Sequence, residues 1–176
     1  MTRSSPAETS NQRRPRDLLW SLAVLLVPIA LVLLFFQFIG GDREVTVVDP
    51  DPAIAEARAA GLEVASPHDL PDGWKPTSAV TRVSGSTVTL RIGYVSPGGG
   101  FVQLVESNAD PEGLLRTELD GGRRPDGTVR IGGRDWQTYP GRESERAVVL
   151  TEPRRTVIVL GQAPDEELRA LATSLR

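Results

Sequence analysis

The sequence predicts an α+β domain, an antiparallel sheet with helices packed mainly on one face, that follows an N-terminal transmembrane helix. One apolar run, Leu18–Ile39, predicts the membrane helix, because 19 of its 22 residues are apolar. Short alternating segments separated by glycine and proline turns predict the antiparallel strands. Two aspartate–proline pairs and an amphipathic C-terminal segment predict helices, and this combination is typical of an α+β fold.

The apolar run is long enough to cross a bilayer. A helix of 22 residues extends roughly 33 Å, which matches a hydrocarbon core of about 30 Å. Residues 1–17 carry four arginines and two acidic residues. Because Lys and Arg stay on the cytoplasmic side, we expect the N-terminus inside the cell and the following domain outside. The chain thus divides into a disordered cytoplasmic tail (1–17), a transmembrane helix (18–39) and an extracytoplasmic domain (40–176).

Two export signals are alternatives to this membrane anchor. A cleaved signal peptide has an apolar region of about 7–15 residues and a small-residue cleavage site. The present run is longer, and Phe38-Ile39-Gly40 does not form such a site. Arg13-Arg14 is similar to a twin-arginine signal, but Pro15-Arg16-Asp17 follows the pair where that signal has a bulky apolar residue. A single-pass signal anchor in the cell membrane is therefore the favoured interpretation.

Composition limits the chemistry that the domain can perform. The chain has no cysteine and one histidine, which excludes disulfides, thiol catalysis and most metal sites. It holds 20 Lys and Arg against 23 Asp and Glu, for a net charge of −3. Residues 1–17 contribute +2, so the rest of the chain carries −5. An acidic domain argues against nucleic-acid binding.

The first elements after the anchor are a short strand and a helix. Val45–Val48 predicts the strand. Asp51 then predicts an N-cap with Pro52 at the first helical position, and Gly61 a C-terminal stop, so we expect a helix over 52–60.

The middle of the domain predicts a strand pair and a second helix. Thr87–Tyr94 alternates apolar and polar residues, which predicts a strand with one solvent-exposed face. Phe101–Ser107 is its expected partner. Asp110-Pro111 repeats the cap-and-proline signal and opens a helix that ends near Gly121.

The C-terminal part predicts two hairpins and a helix. Gly132-Gly133 forms the turn between strands 129–131 and 134–139. The nearly continuous apolar runs 147–150 and 156–160 predict central strands. After Pro164, three acidic residues complement the helix dipole. The helix is expected to pack on the sheet through one apolar stripe, formed by Leu168, Leu171, Ala172 and Leu175.

No catalytic, cofactor-binding or metal-binding residue is predicted. His68 adjoins Asp69, but neighbouring residues do not form a triad and no nucleophile motif is present. The run 98–100 lacks the Lys-Ser/Thr of a phosphate-binding loop. Three aromatic residues are the candidates for a surface that binds a ligand or a partner, and burial in the core is the favoured alternative for them. These residues are Trp74, Trp136 and Tyr139.

Several segments together resemble a known family. The basic tail that ends in Arg16-Asp17, the segment Leu70–Ala79, the segment Gly133–Tyr139 and the closing helix 165–176 resemble the actinobacterial single-span envelope proteins called domain of unknown function 4245. The resemblance implies a membrane anchor and no established activity, cofactor or site residue. The order of elements is also similar to the α+β fold of the Mog1 and PsbP proteins, which are binding modules; that likeness concerns the fold.

The functional expectation is a membrane-anchored extracytoplasmic module that binds or scaffolds an envelope protein. We expect it to contact the bilayer through residues 18–39, to need no cofactor and to be no enzyme. The alternative is a carrier of a small ligand or a lipid at the outer face of the membrane. A third hypothesis is an envelope hydrolase.

Overall fold

A computed structural model describes residues 25–31, 46–119, 124–141 and 145–176. The chain forms two compact units, Met1–Glu44 and Val45–Arg176. In the first unit residues 25–31 are helical; the predicted tail and the remainder of the predicted membrane helix lie outside the described residues. Among the described helices, none has both the length and the apolar character needed to cross a membrane.

The second unit is an α+β domain built on one seven-stranded sheet. All strand pairs are antiparallel, and the strand order is β1-β2-β3-β7-β6-β5-β4. The strands are β1 (Lys75–Ser84), β2 (Thr87–Val95), β3 (Phe101–Ser107), β4 (Gly127–Ile131), β5 (Arg134–Pro140), β6 (Arg146–Glu152) and β7 (Arg155–Gly161). The helices are α1 (Asp51–Ala59), α2 (Pro111–Glu118) and α3 (Asp165–Ser174). The predicted antiparallel α+β class is confirmed.

Two meanders share this sheet. Strands β1 to β3 form the first, β4 to β7 form the second, and pairing of β3 with β7 joins them. The apolar runs in β6 and β7 are central, as predicted, and β7 holds the middle position. The predicted hairpin at Gly132-Gly133 is also confirmed, with φ of 57° and 79° at the two glycines, which is the left-handed geometry that this turn requires.

Helices cover both faces of the sheet. On the first face, α1 and α3 pack with one apolar cluster that includes Ile54, Leu104 and Leu168. On the second face, α2 packs through Leu114 on a smaller cluster around Val105. Of the three helices described in the domain, two lie on the first face, in line with the expectation of helices mainly on one face.

The expectation that β2 has one solvent-exposed face is wrong. Thr89, on the second face, is buried, and its hydroxyl hydrogen-bonds the Ser107 hydroxyl at 2.8 Å. Arg91, on the same face, pairs with Glu118 of α2 at 2.5 Å. The polar residues of this alternating strand therefore contact polar partners from β3 and α2, because α2 lies over the second face.

The predicted strand at Val45–Val48 is also wrong for its described residues. Residues 46–48 form no strand, and Val45 lies outside the described residues. One backbone hydrogen bond, from Val48 N–H to the Pro76 carbonyl at 2.8 Å, connects this segment to β1. Asp49-Pro50 then leads directly into α1, so the chain leaves β1 before a ladder can form.

Two aspartate–proline pairs that look alike in the sequence behave differently. Asp110 accepts a hydrogen bond from Gly113 N–H at 2.8 Å and caps α2, as predicted. The predicted cap at Asp51 is wrong, because Asp51 lies inside α1 and Pro50 occupies the N-cap position without a side-chain cap. Asp49 instead accepts from Asp51 N–H at 3.0 Å.

This difference gives a prediction for helix stability. Asp110→Ala should lower the free energy of unfolding by about 1 kcal/mol, since it removes the oxygen that caps α2. Asp51→Ala should lower it by less than about 0.5 kcal/mol, as for surface changes away from a cap. Urea unfolding of the full chain in detergent measures both values. Equal losses in the two variants would contradict the assigned caps.

Candidate functional site

A pocket of about 580 Å³ opens on the first face of the sheet, beside α1. We call it the Trp74 pocket. Helix α1 contributes Asp51, Ile54 and Arg58, whose spacing places them on one side of the helix. The connection between α1 and β1 forms the opposite wall through residues 66–74, and Tyr94 of β2 contributes from the sheet. The pocket therefore depends on segments that are distant in sequence.

A tight turn positions the aromatic residue of this wall. Gly73 has φ of 97°, a left-handed conformation that glycine adopts without steric cost. A Cβ at this position would also lie 3.2 Å from the Cβ of Pro97. The turn directs the half-buried Trp74 against Tyr94, with ring centroids 6.0 Å apart and planes at 81°. This edge-to-face arrangement is a favourable aromatic contact.

The charged residues around the pocket differ in their engagement. Arg58 donates hydrogen bonds to the Ser66 hydroxyl and, at 3.5 Å, to the Val64 carbonyl, so its guanidinium braces the pocket wall. Asp51 and Asp72 are exposed. No ion pair found within the described ranges includes either carboxylate. The exposed His68 also lines the pocket.

A buried carboxyl group lies behind this wall. Glu106 of β3 has no exposed surface. Its Oε2 accepts a hydrogen bond from Ala65 N–H at 2.9 Å, while its Oε1 has no hydrogen-bond partner among the described residues. Burial raises the pKa of Glu106 to about 7, although the Ala65 N–H and the Arg155 guanidinium favour the charged form. Burial, together with the charge of Glu106, also raises the pKa of the Tyr94 hydroxyl well above its usual range.

Arg155 links Glu106 to the neighbouring strand and to the same connection. Its guanidinium lies 3.5 Å from Glu106 Oε2 and 2.6 Å from Glu152 Oε2. It also donates to the Glu63 carbonyl at 2.7 Å. Two buried or half-buried side chains thus hold the backbone between α1 and the pocket wall at residues 63 and 65.

The structure does not bring the three aromatic candidates together. Trp74 lines the pocket, with Tyr94 rather than either of the other two beside it. Trp136 is fully buried in the apolar cluster of the first face. Tyr139 is 4 % exposed and belongs to the cluster of the second face. The two residues point to opposite faces because three positions separate them on β5, and side chains alternate along a strand.

Sequence reasoning missed Glu106. A usable signal was its place in a period-two series with Val102 and Leu104, which predicts that all three face the core. Its contact with Ala65 joins residues 41 positions apart, so the partner was not predictable from spacing. Within the described ranges, no three His, Asp or Glu side chains converge in a way that could hold a metal ion.

The raised pKa of Glu106 predicts a specific pH dependence of stability. In the unfolded chain this carboxyl has its ordinary pKa of about 4.3. The folded protein binds the proton more tightly, so stability from this group is fully present below pH 4.3 and is lost as the pH rises through about 7. Glu106→Gln stays neutral. The free energy of unfolding of this variant, taken relative to that of the unaltered chain, should therefore rise by on the order of 3 kcal/mol from about pH 4 to about pH 8.

Urea unfolding at a series of pH values measures this difference. Glu112→Gln, which neutralises an exposed glutamate of α2, controls for the loss of one negative charge. The test is how the stability difference between Glu106→Gln and the unaltered chain changes with pH. The size of that difference at a single pH is not informative, because an amide beside Arg155 alters stability at every pH. A stability difference between Glu106→Gln and the unaltered chain that is constant over this range would contradict the assignment.

Comparisons with known proteins identify the family. No curated protein matches the chain. The family described as "Protein of unknown function (DUF4245)" matches residues 11–175, which include the whole sheet, all three helices of the domain and every residue of the Trp74 pocket. The chain therefore belongs to the DUF4245 family.

Proposed function

We propose that this protein is a membrane-anchored binding module whose extracytoplasmic domain takes a small ligand into the Trp74 pocket. The pocket itself carries the proposal. Its volume of about 580 Å³ lies within the range of roughly 300–1,000 Å³ that is typical of ligand sites. Its lining combines an aromatic pair with a few charged groups, as such sites commonly do.

The character of the lining favours a small polar-ended ligand over a lipid chain. Ile54, Leu70 and Trp74 provide apolar surface, whereas Asp51 and Asp72 bring carboxylates to the same pocket. An acyl chain beside these carboxylates would displace part of their water without offering a polar partner, which costs free energy. A ligand with one apolar part and one polar group satisfies both kinds of surface.

The anchor is proposed from the sequence. Leu18–Ile39 has the length and composition of a membrane-spanning helix. The arginines of residues 1–17 favour a cytoplasmic N-terminus. A ligand-binding domain that directly follows such an anchor would act at the outer face of the membrane.

Scaffolding of an envelope protein is the second candidate. Val80 and Phe101 are 55 % and 51 % exposed, and both lie on the second face, beyond the part covered by α2. Val80 lies on β1, which is an edge strand of the sheet, and Phe101 begins β3. Exposed edge strands can pair with another chain. We do not propose the envelope hydrolase, since Glu106, whose pKa is raised, has no exposed surface.

The ligand proposal predicts that binding depends on Trp74. In a screen of chemically diverse small molecules against the full chain in detergent, bound compounds should shift the indole N–H resonance of Trp74. Trp74→Ala should weaken their binding roughly tenfold or more, because a central aromatic residue contributes strongly to affinity. Nuclear magnetic resonance measures both effects: the indole N–H reports binding to the unaltered chain, and the ligand's own resonances report binding to Trp74→Ala.

Val80→Ala is the matched control, because it shortens an exposed apolar side chain on the other face and should leave affinity unchanged. Circular dichroism verifies that each variant is folded. If no compound shifts the Trp74 signal, or if hits bind Trp74→Ala as tightly as the unaltered chain, the ligand proposal is wrong.

The anchor proposal predicts the behaviour of the chain in cells. The full chain should remain with membranes after extraction at alkaline pH, and deletion of residues 18–39 should release it. Protease added outside cells with opened outer barriers should degrade the domain and spare residues 1–17. Protection of the domain under these conditions would show that the proposed orientation is reversed.

A further inference from the structure

We propose that the Trp74 pocket recognises an organic cation, a ligand in which an ammonium group is joined to an apolar part. This inference rests on the proposed function, because it names the chemical class of the ligand in the same pocket. It follows from the aromatic walls, from the two carboxylates and from the helix terminus at the pocket, which disfavours an anion.

The aromatic walls suit a cation. Trp74 and Tyr94 stand at 81° to one another, with centroids 6.0 Å apart, so they form two sides of a corner. The face of an aromatic ring carries partial negative charge and attracts ammonium groups, and Trp provides the strongest such face. Both rings line the pocket, but Tyr94 is only 3 % exposed, so the half-buried Trp74 provides most of the accessible ring surface. An ammonium group in this corner would lose part of its water shell and gain contact with the ring.

The unengaged charges around the pocket are negative. Asp51 and Asp72 have exposed carboxylates, and neither takes part in the ion pairs of the described chain. The guanidinium of Arg58 is directed to the wall through Ser66 and Val64. The buried carboxyl of Glu106 lies behind the same wall, where the charge of Arg58 acts on it. The two free carboxylates are thus available to a positive ligand.

The helix terminus at the pocket is a poor site for an anion. Backbone N–H groups at a helix N-terminus ordinarily attract negative charge. In α1, however, Asp51 N–H already donates to Asp49, and Pro52 has no N–H. The Asp51 carboxylate also occupies the first turn, where it would repel a phosphate or a carboxylate. Both the donors and the charge therefore disfavour an anionic ligand.

A set of three probes tests this inference. Choline presents a quaternary ammonium, 3,3-dimethylbutan-1-ol is its neutral isostere, and inorganic phosphate is the anion. Each is titrated into the full chain in maltoside micelles, which carry no ammonium group, while the Trp74 indole N–H resonance is followed. We expect choline to shift this resonance and to bind roughly tenfold more tightly than the isostere, and we expect phosphate to cause no shift.

Variants assign the effect to the pocket. Asp72→Asn should weaken choline binding roughly threefold, the loss of one partly screened charge, and should leave binding of the neutral isostere unchanged. Asp135→Asn is the matched control, because Asp135 is an exposed aspartate of β5 that does not line the pocket. Trp74→Leu, titrated through the resonances of the two ligands because its indole is gone, should reduce the discrimination between choline and its isostere.

The outcomes separate this inference from the proposed function. Equal affinity for choline and its isostere, binding of phosphate, or no shift with choline would overturn the cation inference. So would an Asp51→Asn, Asp72→Asn double variant that binds choline normally. If the screen of diverse compounds still yields ligands that depend on Trp74, the proposed function stands without the cation. If that screen also yields none, both fail.

Discussion

The pairing of β3 with β7 is the interaction on which the rest of the domain depends. Each meander can form from its own local hairpins, but within the described chain the two meet through this ladder, from Val102–Gly161 to Ser107–Thr156. Because apolar clusters cover both faces of the sheet at its centre, β7 is buried on both sides, which explains its apolar character. The paired residues lie 49 to 59 positions apart in the sequence, so closing this contact has an entropic cost that the burial of both clusters must offset.

This junction also determines where the pocket wall lies. Glu106 occupies the β3 side of the junction, and Arg155 begins the β7 side. Together they bond to backbone groups of Ala65 and Glu63, in the connection that follows α1. A buried charge pair contributes little net stability compared with apolar packing, but loss of one partner is costly. The structural effect of this pair is therefore to fix the connection after α1 in one path across the first face. The pocket lies where that path leaves α1.

Local patterns predicted most of the fold, while contacts between distant segments determined what the sequence could not predict. Gly132-Gly133 and the cap at Asp110 are local signals, and both were correct. Asp51-Pro52 carries the same signal as Asp110-Pro111, yet its outcome differs because Asp49 supplies the acceptor. The covered second face of β2 depends on α2, which reaches Arg91 through Glu118, 27 residues away. For the site, Trp74 was one of three candidates for which core burial was favoured, whereas Tyr94 and Glu106 were not named as candidates. Alternation along their strands marks both as core residues and does not indicate which segments pack over them.

The charge pattern of the pocket follows from these same contacts. Arg58, Asp51 and Asp72 all line the pocket, and a guanidinium can form ion pairs with nearby carboxylates. In the fold, the Arg58 guanidinium instead braces Ser66 and Val64, and Glu106 lies beyond them. The cation is used to stabilise the wall, and Asp51 and Asp72 are left on the rim of a cavity with an aromatic corner. The contacts that fix the wall thus leave two carboxylates around the pocket without an ion-pair partner in the described chain, and a positively charged ligand is the partner that this arrangement favours.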